Sequence, residues 1–211
     1  MIKRECEIKF KIKNVNEEQE IRKLLEKSGF IKKEKCLLTD YMLDTVERIC
    51  RKKQFLFRVR NEYTYSKPMS TIYFTSKTKN KDAELQDNCE IEFSLSDKTE
   101  NIIESLVIEV ANNAGIKLNT KIFFLQDITS IIRELYNCGF CNIDIIKKER
   151  TDYVGEYAKI SIDKFYDSIG TYLEIECQNK IDLYNTVALF NLDTSRLEKR
   201  NYGQLILEQI H

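Results

Sequence analysis

The chain has 211 residues, 42% of them apolar and 32% charged, which suits one well-buried domain and lies outside the composition of disordered chains. Lys+Arg and Asp+Glu are equal at 34 each, so no global field draws the protein to nucleic acid or to an anionic surface, and any charge-based function must come from local arrangement. Its one histidine is His211, the last residue, which excludes catalysis by an internal imidazole: Ser-His-Asp triads, Cys-His pairs and histidine-ligated zinc.

Seven cysteines (Cys6, Cys36, Cys50, Cys89, Cys138, Cys141 and Cys177) are scattered, odd in number and without a secretory leader, so reduced thiols in a cytoplasmic protein are expected. The longest apolar runs fall far short of the roughly 18 to 20 residues that a membrane span needs. One proline, Pro68, and six glycines leave no linker-like tract, so residues 1–211 read as a single domain.

In chain order, period-2 alternation predicts strands near 2–13, 37–45, 54–63, 70–79, 88–94, 142–153, 157–164 and 171–178. Asn16-Glu17-Glu18 followed by Ile21, Leu24, Leu25 and Gly29 predicts a helix with a polar cap, an acidic first turn and a glycine stop. The signature recurs over 96–115 and 127–139, and further helices are expected near 181–190 and 195–209. Short connections imply antiparallel pairing, so the class is α+β with the sheet dominant.

The faces of these strands carry the functional signal. In 2–13, a mostly apolar face of Ile2, Arg4, Cys6, Ile8, Phe10 and Ile12 alternates with the wholly charged Lys3, Glu5, Glu7, Lys9, Lys11 and Lys13. One such strand is most simply a sheet with a solvated face. The pattern repeats, however, as same-face i, i+2 pairs: acidic Glu5/Glu7, Glu90/Glu92 and Glu174/Glu176, and basic Arg58/Arg60, Lys77/Lys79 and Lys148/Arg150, with Asp163 alone on its strand. Like carboxylates brought together need a cation. Oxygen-only ligands select hard ions, Mg²⁺, Mn²⁺ or Ca²⁺. The basic pairs suit a multiply charged phosphate. A metal and a polyphosphate together satisfy both sets.

Glu5-Cys6-Glu7-Ile8-Lys9 is an E-x-E-x-K motif at the start of the first strand, and here the sequence resembles the CYTH superfamily, the triphosphate tunnel metalloenzymes. Further landmarks follow in family order: Phe57-Arg58-Val59-Arg60, Thr75-Ser76-Lys77, Glu90-Ile91-Glu92, Lys148-Glu149-Arg150, then Asp163 and the run Gly170 to Glu176 ending in E-x-E. The resemblance implies an eight-stranded antiparallel β-barrel, a tunnel, with helices packed outside. It implies that Glu5, Glu7, Glu174 and Glu176 hold the metal, and that Glu90 and Glu92 serve a second metal or position the attacking water. Lys9, Arg58, Arg60, Lys77, Lys148 and Arg150 would grip the phosphates, and Glu5, Glu7 and Lys9 would form the catalytic set. The partner is a triphosphate-containing small molecule, neither membrane nor general nucleic acid, and the protein is expected as a monomer or homodimer. The expected reaction is hydrolysis of inorganic triphosphate or a small organic triphosphate. Alternatives are cyclisation of ATP to cyclic AMP, as in class IV adenylate cyclases, and a non-catalytic polyphosphate-binding or nucleotide-binding module. RNA 5′-triphosphatase activity is more distant.

The sequence departs from the family pattern in places. Asp40-Tyr41-Met42-Leu43-Asp44 resembles its D-x-Y-x-D strand with Met42 where an aromatic is usual, and 96–139 carries more helix than compact members do. Asn201-Tyr202 stands where Ser-Tyr is often seen, and Lys199 and Arg200 before it read as a solvated helix face. Cys138 and Cys141 read as buried thiols at a helix end, Lys32, Lys33 and Lys35 as a solvated loop, and Tyr63, Tyr65 and Tyr73 as ordinary strand residues.

Overall fold

The computed structural model describes residues 2–79, 86–95, 100–118, 127–166, 169–198 and 200–207. Its elements in chain order are β1 (Ile2–Ile12), α1 (Val15–Lys27), β2 (Ile31–Lys32), β3 (Cys36–Asp44), α2 (Ile49–Lys52), β4 (Phe55–Thr64), β5 (Thr71–Lys79) and β6 (Gln86–Ser94). They continue with α3 (Glu100–Ala114), α4 (Ile128–Asn137), β7 (Cys141–Val154), β8 (Ala158–Phe165), β9 (Thr171–Cys177), α5 (Lys180–Leu189), β10 (Leu197–Glu198) and α6 (Tyr202–Leu207). The eight expected strands are all present within one or two residues at either end. Hydrogen bonding orders them β10-β1-β6-β5-β4-β3-β7-β8-β9, with β2 on β7 and β1 also paired with β9, so eight strands close into the antiparallel barrel of an α+β fold.

Contacts divide the chain into two compact units. The first takes in Leu38–Lys79 and the described residues within Cys89–Ile146, the second Arg4–Leu37 and the described residues from Lys147 onward. In the first, β4 and β5 pair antiparallel in a register that sets Arg58 opposite Thr75 and Leu56 opposite Lys77. One face of β4 and β5 sends Phe57, Val59, Ile72 and Phe74 into a core completed by Ile103, Val107, Val110 and Ala111 of α3 and Ile131, Ile132 and Leu135 of α4. The period of 3.6 places those helical residues on one stripe. Phe57 and Phe140 pack with ring centroids 5.1 Å apart.

The second unit is built on the ladders β1–β9, β9–β8 and β8–β7. Cys6, Ile8, Phe10 and Ile12 of β1, Ile160 and Ile162 of β8, and Leu173 and Ile175 of β9 form a core against Ile21 and Leu25 of α1 and Leu183 and Val187 of α5. Asn14 and Asn179 cap α1 and α5, accepting from Glu17 N at 3.0 Å and Asp182 N at 2.9 Å.

The C-terminal segment corrects the expected helix over 195–209. After a 3₁₀ turn at Thr194–Arg196, Leu197 and Glu198 form the strand β10, pairing opposite Phe10 and Lys9, and the helix begins only at Tyr202. Asn201 and Gln204 cap that start reciprocally: Asn201 Oδ1 accepts from Gln204 N and Gln204 Oε1 from Asn201 N, each at 2.9 Å. Apolar spacing alone does not register so short a strand. Lys199 lies outside the described residues. Arg200 is exposed and donates to Glu198 Oε1 at 2.7 Å. No described helix is long and apolar enough to cross a membrane.

Candidate functional site

The alternating charges of β1 are not a solvated face. Glu5, Glu7 and Lys9 are 2%, 4% and 2% exposed, while Cys6, Ile8 and Phe10 between them are buried too. From Glu5 to Phe10 both faces of the strand are inside, whereas Arg4 and Lys11 are exposed, so the buried charges must be compensated by neighbours.

In the second unit the compensation is a continuous network. Lys9 Nζ reaches Glu7 Oε1 at 2.6 Å and Glu174 Oε2 at 3.8 Å, and β1–β9 pairing sets Lys9 directly opposite Glu174. Arg150 grips Asp163 with Nε on Oδ1 and Nη2 on Oδ2, both 2.6 Å, and Nη2 also donates to Glu174 Oε1 at 2.9 Å. Lys148 Nζ donates to Asp163 Oδ2 at 2.6 Å. Lys159, opposite Glu176, lies 3.7 Å from Glu176 Oε2 and 3.4 Å from Asp152 Oδ2, and Ser161 Oγ donates to Asp152. The electrostatics follow. Burial alone would lower the Arg150 pKa, but Asp163 and Glu174 outweigh it and hold the guanidinium well above its ordinary value. Burial would raise Asp163, yet Arg150 and Lys148 outweigh that cost and keep its carboxyl below the usual range.

The first unit carries a separate network. Asp40, 3% exposed, takes a two-point grip from Arg60, with Nε on Oδ1 at 2.6 Å and Nη2 on Oδ2 at 2.9 Å. Arg58 Nη1 lies 3.6 Å from Asp40 Oδ2, and its Nη2 donates to Thr75 Oγ1 at 3.2 Å and Glu92 Oε2 at 3.3 Å. Thr75 Oγ1 donates to Glu92 Oε2 at 2.7 Å, and Lys77 Nζ stands 3.6 Å from Glu90 Oε2. Arg58 Nε is buried with no hydrogen-bond partner among the described residues. Lys79, grouped with Lys77 by alternation, is exposed where β5 ends.

Every expected site residue therefore sits in a charged network or is buried beside one. Glu5, Glu7, Lys9, Lys148, Arg150, Glu174 and Glu176 belong to one unit, and Arg58, Arg60, Lys77, Glu90 and Glu92 to the other. The structure adds Asp40, Thr75, Asp152, Lys159 and Tyr202. Period-2 phase was the available signal for two of them, since Asp40 alternates with Leu43 across β3 and Lys159 shares the phase of Asp163 on β8. Asp44 serves the fold rather than the networks. Its Oδ1 accepts from Thr45 N at 2.7 Å and Cys50 N at 2.8 Å, and Oδ2 from Arg51 N at 3.1 Å, which fixes the start of α2.

Among the described residues, no group of three or more His, Cys, Asp or Glu side chains is gathered as a ready cage for a metal ion. Glu7 and Glu174 turn instead toward Lys9 and Arg150. The donor set nevertheless suits a hard divalent cation, because the register places Glu7 directly opposite Glu176, with Glu5 on the same face of β1. Like charges so placed repel until a cation lies between them.

A family model for the CYTH domain matches residues 3–183. The chain belongs to the CYTH domain family. Among solved structures it is similar to the PH1819 protein of Pyrococcus horikoshii, at 19% identity and a TM-score of 0.69, over 97% of this chain and 99% of that one. A Vibrio parahaemolyticus protein provisionally named an adenylate cyclase matches at 16% identity and a TM-score of 0.64, over 97% and 98%. Hippeastrum HpAC1, provisionally named an adenylyl cyclase and described as having a dominant triphosphatase activity, matches at 14% identity and a TM-score of 0.53, over 95% and 91%. A search of curated proteins finds no match. Members of the CYTH family are metal-dependent enzymes that act on triphosphates.

Proposed function

We propose that this CYTH protein is a metal-dependent phosphohydrolase that removes the terminal phosphate of inorganic triphosphate or a small organic triphosphate. The observation that carries the reading is the burial of Lys9, Lys148 and Arg150 together with Glu5, Glu7 and Glu174, Lys9 on the strand of Glu5 and Glu7 and Arg150 reaching across β8 to Glu174. Cations and carboxylates are costly to bury, and a stable fold with apolar residues at these positions would be easier to build. Such a density of both signs suits a ligand that itself carries many negative charges and brings a cation with it.

In this reading Glu5, Glu7, Glu174 and Glu176 hold Mg²⁺ or Mn²⁺, and Glu90 and Glu92 take a second ion or orient the attacking water. When bound, the divalent ion draws charge from the phosphate oxygens and eases deprotonation of water at neutral pH without a histidine base. Lys9, Lys148 and Arg150, with Arg58, Arg60 and Lys77 from the other network, bind the phosphate chain and neutralise the charge that grows on the leaving diphosphate. Phosphoryl transfer asks for little beyond such positioning and electrostatic stabilisation. The Hippeastrum protein's described triphosphatase activity supports hydrolysis over cyclisation.

The test is to incubate the purified protein with Mg²⁺ or Mn²⁺ and, separately, inorganic triphosphate, thiamine triphosphate and ATP, and to resolve the products. Orthophosphate is expected. Cyclic AMP with pyrophosphate would replace the reading by the cyclase, and tight triphosphate binding without turnover would replace it by a binding module.

A further inference from the structure

β10 delivers one aromatic residue to the second unit's charged network. The Lys9↔Glu198 pairing brings the chain alongside β1, and the reciprocal Asn201–Gln204 cap starts α6 at Tyr202. The Tyr202 ring lies under two of the buried ammonium groups, with Lys148 Nζ 4.5 Å and Lys9 Nζ 5.2 Å from its centroid. Phe165 and Tyr172 back it, with centroids at 4.7 and 5.8 Å. Phe165 stands directly opposite Lys148 on the β7–β8 ladder, so the aromatic group closes the Lys148 end of the network.

The Tyr202 hydroxyl is sealed from solvent and makes no well-formed hydrogen bond to any described residue. Asp163 lies within hydrogen-bonding reach of it but without the alignment of a full bond, and that carboxylate is already engaged by Lys148 and Arg150. Leaving a buried hydroxyl without a partner is unfavourable, and folds rarely tolerate it where an apolar ring would serve. Phenylalanine would fill the same space and present the same ring face to both lysines. Within the polypeptide the oxygen has only a poorly aligned share of the Asp163 carboxylate, and an acceptor brought by a ligand would satisfy it better.

Resting on the triphosphate reading above, we propose that Tyr202 is a further ligand-binding residue: its ring face fixes the Lys9 and Lys148 ammonium groups, and its hydroxyl donates a hydrogen bond to a phosphate oxygen held between them. The residue lies beyond the 3–183 segment matched by the family model. Burial, then the negative charges of Asp163 and Glu174, raise its ionisation well above the ordinary value, so the hydroxyl remains a proton donor throughout the neutral range. A neutral donor suits this end of the network, because it adds a hydrogen bond to the anion without adding a third cation to repel Lys9 and Lys148.

The experiment is calorimetric titration of inorganic triphosphate, with Mg²⁺ present, into the full-length wild type, Tyr202→Phe and Tyr202→Leu, with the melting temperature of each ligand-free protein measured alongside. The phenylalanine variant should bind about ten-fold more weakly, as expected for one lost hydrogen bond to a charged group, while its ligand-free melting temperature stays equal to or above that of the wild type. The leucine variant, which also loses the ring, should bind weaker still. Equal affinity in wild type and Tyr202→Phe, or a melting temperature lowered by that change with affinity intact, would overturn the assignment and make the hydroxyl structural. A wild type that fails to bind triphosphate would overturn the function proposed above and this assignment with it, an outcome distinct from the first two.

Discussion

Asp163 is the residue on which the second unit's network turns, and Asp163→Asn measures its weight. The carboxylate is 0% exposed and accepts three hydrogen bonds of 2.6 Å, one from Lys148 and two from Arg150. Asparagine keeps the volume but removes the charge and points an amide donor at one of the two cations. Breaking a buried pair while leaving its partner charged costs about 3–5 kcal/mol, and screening by water gives no relief at this depth. For a chain of this size each kcal/mol shifts the melting temperature by about 2–4 °C, so the variant should melt roughly 6–20 °C below the wild type in a calorimetric or circular-dichroism scan. The pH dependence supplies the sign. The folded pKa lies below the ordinary 3.8, so Asp163 stabilises the fold fully above that value and ceases to do so as pH falls through its folded value. Wild type should lose stability on acidification below about pH 4, and the variant should show a shallower acid limb. A loss under about 1 kcal/mol, or identical acid limbs, would show that Arg150 and Lys148 find their compensation elsewhere and would refute this network.

Glu7→Gln should abolish metal-dependent phosphate release with the fold intact by circular dichroism, and full activity in that variant would sink the proposed metal site. Arg60→Lys replaces a two-point grip on Asp40 by a single ammonium and should lower stability by about 1–2 kcal/mol in urea unfolding; no change would mean that the fork geometry is dispensable. At Gly155 an added Cβ would stand 2.7 Å from the Phe30 ring, which packs 5.8 Å from Phe190, so Gly155→Ala should cost about 1–3 kcal/mol as that ring is displaced, read as a lowered melting temperature. Burial raises the Cys177 thiol to about 11 and pushes Cys50 up further, whereas Cys89 is exposed. Alkylation followed by mass spectrometry at about pH 8 should therefore modify Cys89 in the native protein, and Cys50 and Cys177 only after unfolding; rapid native labelling of Cys177 would contradict its burial.

The parts of this molecule legible in its sequence are those set by local periodicity. Alternation along β1 put Glu5, Glu7 and Lys9 on one face without any knowledge of neighbouring strands, because a strand's two faces are fixed by its own pleat. Which charge answers which is a property of register, and register depends on residues far apart in the chain. Nothing near Arg60 announces that Asp40, twenty positions earlier, holds it, nor that Arg150 meets Asp163 across one ladder and Glu174 at the next strand. Alternation also runs past the point where a side chain leaves the wall: Lys79 keeps the phase of Lys77 but is exposed at the strand end.

The C-terminal segment shows the same limit in a sharper form. Leu197 and Leu205 are spaced as on one helical stripe, so a helix over the whole stretch is the natural reading, and a two-residue strand leaves no period to detect. β10 exists because Leu197 and Glu198 pair with β1 opposite Phe10 and Lys9, a partner chosen by tertiary structure. Tyr202 follows from that pairing. In the sequence it is marked only as the tyrosine of Asn201-Tyr202, with no hint of what it meets, whereas beyond a strand that ends beside Lys9 it lies against the two lysines that the phosphate reading needs most. A truncation before Leu197 should therefore weaken triphosphate binding as Tyr202→Leu does, although it removes none of the charged residues of the E-x-E, R-x-R and K-x-R strands, and unchanged affinity in the truncated protein would show that those strands hold their cations without help from the C-terminus.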